Sequence, residues 1–328
     1  MTPVTKLATA VFALVFATAA QAEPLPVEPG HETLRIWPGA APGGAGATAK
    51  PQIVERRTSP TELKDRIAKG VRTPTLVVYR AERPNGAAIL MAPGGGYSWV
   101  VMDKEGYEAA EWFAKRGVTV FVMTYRLPQE GWAAGPDTPL QDSQRAMRLI
   151  RARAADYGVD PKRIGIMGFS AGGHVAGELT LTWDRPVYRP TDPADQASAR
   201  PDFSVLMYPV ATMKADFAHK GSRRNLLGEA PDAKRVSAYS LEDQARADAP
   251  PVLLVHAADD ASVPVENSLQ LFDALRARRV PAELHVFEEG GHGFGLRFAV
   301  GKPAAAWPEL TMAWMARKGF LTPAAQTR

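Results

Sequence analysis

The sequence predicts an α/β protein with a mostly parallel sheet covered by helices on both faces. Three observations predict it. Short runs rich in Val, Ile and Leu alternate with longer helical stretches along 328 residues. Those runs are apolar throughout, as strands buried on both sides must be. With 45% hydrophobic and 23% charged residues, the chain has a globular composition rather than a disordered one.

The elements follow in order. Lys6 precedes an apolar run from Leu7 to Ala20, and Ala20-Gln21-Ala22 then offers small residues ahead of Glu23-Pro24. A charged flank, a short apolar core and an A-x-A site describe a secretory signal peptide over residues 1–22. The run is too short to span a bilayer, so the expected product is periplasmic or secreted, without membrane attachment. Residues 23–50, rich in Pro, Gly and Ala, read as an irregular arm, and residues 51–328 as one domain. Thr75–Tyr79 and Ala87–Ala92 are expected to pair as a hairpin through Asn85-Gly86. A helix over Glu105–Arg116 stops at Gly117, a strand covers Val118–Tyr125, and a helix over Pro139–Tyr157 stops at Gly158. Strand Ile164–Gly168 leads into helix Ala171–Leu181. Strands Phe203–Val210, Pro251–His256 and Glu283–Phe287 and helices Val265–Arg278 and Ala304–Arg317 complete the set. Residues 211–249 lack clean periodicity and read as an insertion over the sheet's carboxyl edge, where such folds place their sites. Arg126, Asp142 and Arg145 are expected in ion pairs beneath the loops.

Several function classes drop out. Without cysteine there is no disulfide framework, thiolate nucleophile, Cys-ligated zinc or iron–sulfur cluster. The 39 bases stand against 35 acids, and no basic stripe interleaves with aromatics, so a nucleic-acid partner is not expected. There is no H-E-x-x-H or clustered His/Asp spacing for a metal. The run Gly94-Gly95-Gly96 lacks the P-loop Lys-Ser/Thr and the dinucleotide G-x-G-x-x-G, so no cofactor is expected.

What remains points to acyl transfer. Gly168-Phe169-Ser170-Ala171-Gly172 matches G-x-S-x-G, with a strand before it and a helix after it. That spacing sets a serine on a sharp strand-to-helix turn, with Oγ raised above the sheet. Ser170 is therefore the candidate nucleophile, and it needs a base. Of six histidines, only His292 follows the last strand, within Gly290-Gly291-His292-Gly293. His174 reads as a satisfied structural side chain, His285 as an edge residue, and His256 as a support for the acid loop. The orienting acid should leave the preceding strand, where Asp259 and Asp260 are both available. Ser, Asp, His is the chain order of an α/β-hydrolase triad. Pro93-Gly94-Gly95-Gly96-Tyr97 resembles an HGGG-type loop, so the amides of Gly95, Gly96 and Ala171 are the candidate oxyanion donors.

These residues resemble the bacterial acetylesterase branch of the α/β-hydrolases, which includes acetylxylan esterases. The likeness runs from Leu34-Arg35-Ile36-Trp37-Pro38-Gly39 through Pro93–Tyr97, Lys104-Glu105-Gly106, Thr124-Tyr125-Arg126-Leu127 and Gly168–His174. It continues to Leu226-Leu227-Gly228, Asp260-Ala261-Ser262-Val263-Pro264 and Gly291-His292-Gly293-Phe294-Gly295. In that family the triad acid stands in D-x-x-V-P, which selects Asp260. Ala257, where a Gly commonly follows the strand, and the neighbouring Asp259 depart from the pattern. The resemblance implies acetylated plant polysaccharide or its oligomers as substrate, so the expected partner is a small-molecule or carbohydrate ester. Tyr97, Trp99 and Trp132 are the candidates for a sugar-stacking rim. A general short-chain carboxylesterase, a prolyl-oligopeptidase-like peptidase and a carbohydrate-binding pseudoenzyme are the alternatives.

Overall fold

In the computed structural model, which describes residues 28–321, the apolar runs assemble around β5 (Ala88–Ala92) and β8 (Ile164–Phe169), each fully buried. The expected leader at residues 1–22 lies outside the described residues. The remaining strands of the large sheet are β1 (Glu32–Arg35), β4 (Thr75–Tyr79), β7 (Thr119–Met123), β9 (Ser204–Met207), β10 (Val252–Ala257) and β11 (Ala282–Phe287). Their spatial order is β1-β4-β7-β5-β8-β9-β10-β11. From β7 to β11 every pairing is parallel; β1–β4 and β4–β7 are antiparallel. A small antiparallel sheet joins β2 (Gln52–Glu55), β3 (Arg66–Lys69) and β6 (Val100–Val101).

Two sequence expectations are corrected. Thr75–Tyr79 and Ala87–Ala92 form no hairpin, because β7 lies between them in the sheet. Asn85-Gly86 does turn the chain: the Asn85 side chain accepts from Ala87 N–H and Gly86 takes φ +87°. Residues 80–87 are much longer than a two-residue hairpin loop, so this turn does not impose direct pairing. The Val120-Phe121-Val122 run, apolar on both faces, takes the place between the two strands. The arm over residues 23–50 is also not irregular throughout. Residues 32–35 form edge strand β1, and Ile36 and Trp37 behind it are buried.

Helices α1 (Glu108–Ala114), α2 (Thr138–Ala152), α3 (Ala171–Thr182), α6 (Glu266–Ala277) and α7 (Trp307–Arg317) flank the sheet. The steps β5 to β7 and β7 to β8 run in opposite directions across the sheet. Right-handed crossovers therefore put α1 and α2 on opposite faces. Trp307 of α7 packs against Phe113 of α1, with ring centroids 5.9 Å apart, while α3 packs on α2. This reversal opens a crevice beyond the carboxyl ends of β5 and β8, the usual ligand site of an open α/β sheet. The glycine loop and Ser170 both emerge there. The segment over 211–249 carries α4 (Lys220–Leu227) and α5 (Ala233–Ala238), and α4 reaches the glycine loop.

Two buried polar contacts hold this frame. Arg126, at the end of β7, and Asp142 of α2 are both fully buried and meet at 2.8 Å. Asp142 also accepts from Trp37 Nε1 and Arg126 N–H, so the pair ties the arm to the sheet and α2. Arg145 pairs with Asp192 and Asp195 rather than with Asp142. The second contact is Tyr97 Oη donating to His174 Nδ1 at 2.8 Å, while His174 Nε2–H donates to the Tyr239 carbonyl at 2.7 Å. It locks the loop after β5 onto α3. Burial drives the His174 pKa down to about 4, so the ring stays neutral.

Asp142→Ala leaves the Arg126 guanidinium buried without its carboxylate. Urea denaturation is expected to show a loss of about 3–5 kcal/mol. The His174 imidazole is charged below about pH 6.5 in the unfolded chain, but stays neutral down to about 4 in the fold. Its contribution is whole above pH 6.5 and is lost as pH falls from there toward 4, by up to about 3 kcal/mol. Urea midpoints at pH 7 and pH 4.5 should fall further apart in the wild type than in His174→Gln.

Candidate active site

Strand β8 is followed directly by a residue whose torsions glycine would adopt more easily. Ser170 takes φ 54° and ψ −120°, and α3 starts at once behind it. The strain persists because surrounding backbone over-determines it. Ser170 N–H donates to Met207 O, and its carbonyl accepts from Val210 N–H and His174 N–H. A Cβ on Gly172 would lie 2.1 Å from Ala92 O, so only glycine lets the turn approach β5 this closely. Ser170 is 5% exposed.

His292 arrives on the loop after β11. Its Nε2 lies 2.8 Å from Ser170 Oγ, and its Nδ1 lies 2.7 Å from Asp260 Oδ2. With Nδ1–H donating to the carboxylate, Nε2 keeps its lone pair toward the hydroxyl. Asp260 follows β10. Burial pushes its carboxyl up, but hydrogen bonds with His256 and His292 and from Val263 N–H outweigh burial. The group stays well below the ordinary carboxylate range, and therefore ionised. His256 is held in turn by Ser268 Oγ at 2.7 Å and Val263 O at 2.9 Å. Asp259 has a different task. Its Oδ1 accepts from Gly290 and Gly291 N–H, at 2.9 and 2.7 Å, and so shapes the loop that carries His292.

The loop after β5 is fixed through its carbonyls. Pro93 O accepts from Tyr125 Oη, Gly94 O from Val101 N–H, Gly95 O from Ser98 and Trp99 N–H, and Gly96 O from Asn225 Nδ2. In a trans peptide the N–H points away from its carbonyl. Tethering Gly94 O and Gly95 O therefore turns the Gly95 and Gly96 amides the other way. Gly95 and Gly96 take φ +132° and +62°, and a Cβ on Gly94 would lie 3.0 Å from Ser170 Cβ. Ala171 supplies a further amide from the first turn of α3, where N–H groups lack intrahelical partners.

Three aromatic residues expected at the rim separate. Tyr97 is 2% exposed and serves the His174 contact, so it is not a rim residue. Trp132 is 5% exposed, with the Arg126 guanidinium 4.7 Å from its ring centroid, and is not one either. Tyr97 belongs to the hydrophobic core, and Trp132 lies against Gly44 of the arm. Trp99 alone is partly exposed, beside Gly95 and with Lys69 Nζ 5.3 Å from its ring centroid.

Other residues at the site were not assigned from sequence. Glu105, 3% exposed, accepts from Gly94 N–H through Oε2 and from Tyr208 Oη through Oε1. Tyr208 Oη also accepts from Gly295 N–H, which brings the His292 loop into the same network. Tyr208 has φ 34° and packs its ring 5.3 Å from His292. His219 and Asn225, at the two ends of α4, lie against the glycine loop. Glu105 stands in Lys104-Glu105-Gly106, whose place in the family pattern was a signal; the α4 residues lie in a segment without periodicity.

Among the described residues no group of three or more His, Asp or Glu is arranged to hold a metal ion. No helix among them is long and apolar enough to cross a membrane.

Known proteins resemble this chain in sequence and in fold. A match to the BD-FAE family covers residues 78–275, and one to the dienelactone hydrolase family covers residues 231–321. An acetylxylan esterase of Xylanibacter ruminicola is 36% identical over 67% of this chain and 43% of its own length. Endo-1,4-beta-xylanase B of Butyrivibrio fibrisolvens is 39% identical over 62% of this chain and 32% of its own length. The chain thus spans less than half the length of these relatives. The crystal structure of an acetyl ester-xyloside bifunctional hydrolase from Caldicellulosiruptor lactoaceticus superposes with a TM-score of 0.69 at 34% identity. It covers 85% of this chain and 99% of that one. Esterase 2 of Thermogutta terrifontis, phosphorylated by paraoxon, superposes with a TM-score of 0.60 at 26% identity, covering 89% and 100% of the two chains. By its family match and its sheet, the chain belongs to the BD-FAE family of α/β-hydrolases.

Proposed function

We propose that this protein is an exported serine esterase that removes acetyl groups from plant polysaccharides or their oligosaccharides. The observation that carries the reading is the continuous hydrogen-bonded chain from Ser170 Oγ through His292 to Asp260. Ser170 attacks the ester carbonyl while His292 Nε2 takes its proton. Asp260 holds the imidazole in the right tautomer and balances the charge it gains. The amides of Gly95, Gly96 and Ala171 receive the oxyanion, and their fixed orientation avoids reorganisation when charge develops. His292 then gives its proton to the leaving alcohol, and a water activated by the same ring hydrolyses the acetyl-enzyme.

The substrate class rests on the acetylxylan esterase of Xylanibacter ruminicola and the acetyl ester-xyloside hydrolase of Caldicellulosiruptor lactoaceticus. Trp99, half-open beside the donor loop, is the aromatic surface suited to a sugar ring. Export rests on the leader pattern of residues 1–22.

Ser170→Ala is expected to lower turnover of 4-nitrophenyl acetate by about 10⁴-fold or more; near wild-type hydrolysis would reject the nucleophile. The two acids should part company. Asp260→Asn loses about 10⁴-fold in kcat through the wrong tautomer. Asp259→Asn keeps an acceptor for the loop amides and should lose no more than about tenfold. Equal losses would overturn the assignment of Asp260. Acetate release from acetylated xylan, compared with butyryl and feruloyl esters, tests the substrate class.

A further inference from the structure

His219 caps α4 in an unusual way for a histidine. Its Nδ1 accepts from Ser222 N–H at 3.1 Å and lies 2.8 Å from Ser222 Oγ, with Ser222 fully buried. A ring nitrogen that accepts an N–H carries no proton, so the neutral ring bears its proton on Nε2. Among the described residues Nε2 donates to no partner, and the residue is only partly buried. The ring lies at the mouth of the site: its Cε1 is 3.7 Å from where a Gly96 Cβ would stand. It is also near enough to His292 and Asp260 to feel their charges, and burial together with His292 pushes its pKa down.

A bound substrate that displaces water from this preset donor must offer it an acceptor. The acetyl group supplies one, its carbonyl oxygen, and the amides of Gly95, Gly96 and Ala171 are aimed at that oxygen. The methyl offers nothing. The leaving alcohol lies toward His292, which must protonate its oxygen, and a sugar alcohol carries further hydroxyl and ring oxygens. We propose that His219 Nε2–H is a specificity-determining donor that binds an oxygen of the leaving polyol next to the acetylated position. This rests on the proposed acetyl-carbohydrate esterase reading and names how the site separates polyol esters from simple ones. A site built to hydrogen-bond a substrate oxygen discriminates strongly against an ester that lacks it.

The test uses His219→Asn in the full chain. Asn remains a good N-cap, so the Ser222 amide keeps an acceptor while the Nε2 donor is lost. The readout is the ratio of kcat/KM for acetylated xylobiose to that for 4-nitrophenyl acetate. That ratio is expected to fall about tenfold, with the loss mainly in KM for the sugar ester. An unchanged ratio overturns the proposal. If both substrates slow equally, the ring serves the oxyanion or the fold and not the alcohol. If neither slows, it binds nothing. A wild-type enzyme that releases no acetate from the sugar overturns the parent reading as well; release with an unchanged ratio in the variant overturns this inference alone.

Discussion

The carboxyl edge of this sheet depends on how closely the Ser170 turn is pressed against the end of β5. Gly172 stands where any side chain would collide with the Ala92 and Pro93 carbonyls, and Gly94 stands where one would collide with the turn itself. Because the two backbones interlock, the strained torsions of Ser170 cannot relax without moving the glycine loop. The same contact sets the glycine loop directly against the turn from which α3 begins. Ser170 and the glycine loop are thus positioned by one steric fact.

Around that contact the polar groups divide their labour. Asp260 orients the imidazole, while Asp259 moulds the loop that carries it, so the adjacent carboxylates do not compete. His256, itself held by Ser268 and Val263, fixes the acid from the strand side. Such second-layer contacts decide tautomer and direction, as the partners of ligating histidines do at metal sites. The glycine loop is built on the same plan: its bound Gly94 and Gly95 carbonyls turn the Gly95 and Gly96 amides the other way.

Much of this was legible in the sequence, for reasons that differ by element. The parallel strands announce themselves because burial on both faces requires unbroken apolar runs, and the Ser170 turn because only small residues tolerate its neighbours. Strand pairing was less visible. Asn85-Gly86 carries the local chemistry of a hairpin turn, yet which strand lies alongside is settled by β7, a competitor far along the chain. Edge strand β1 escaped notice because four residues leave too little alternation to read. Tyr97 and Trp132 look like sugar platforms by type, but aromatic rings gain most from burial, and only packing tells the two uses apart. Glu105 and His219 could not be assigned from spacing, since each acts across long separations in the chain.

Glu105 has a further consequence. One carboxylate grips the amide at the root of the donor loop and, through the Tyr208 hydroxyl, the amide of Gly295 just past His292. The gap between the His292 loop and the glycine loop is thereby spanned by a single buried strut. The segment over 211–249 contributes none of Ser170, Asp260 and His292. A substitution in that segment leaves the strut in place, because Gly94, Glu105, Tyr208 and Gly295 all lie outside it.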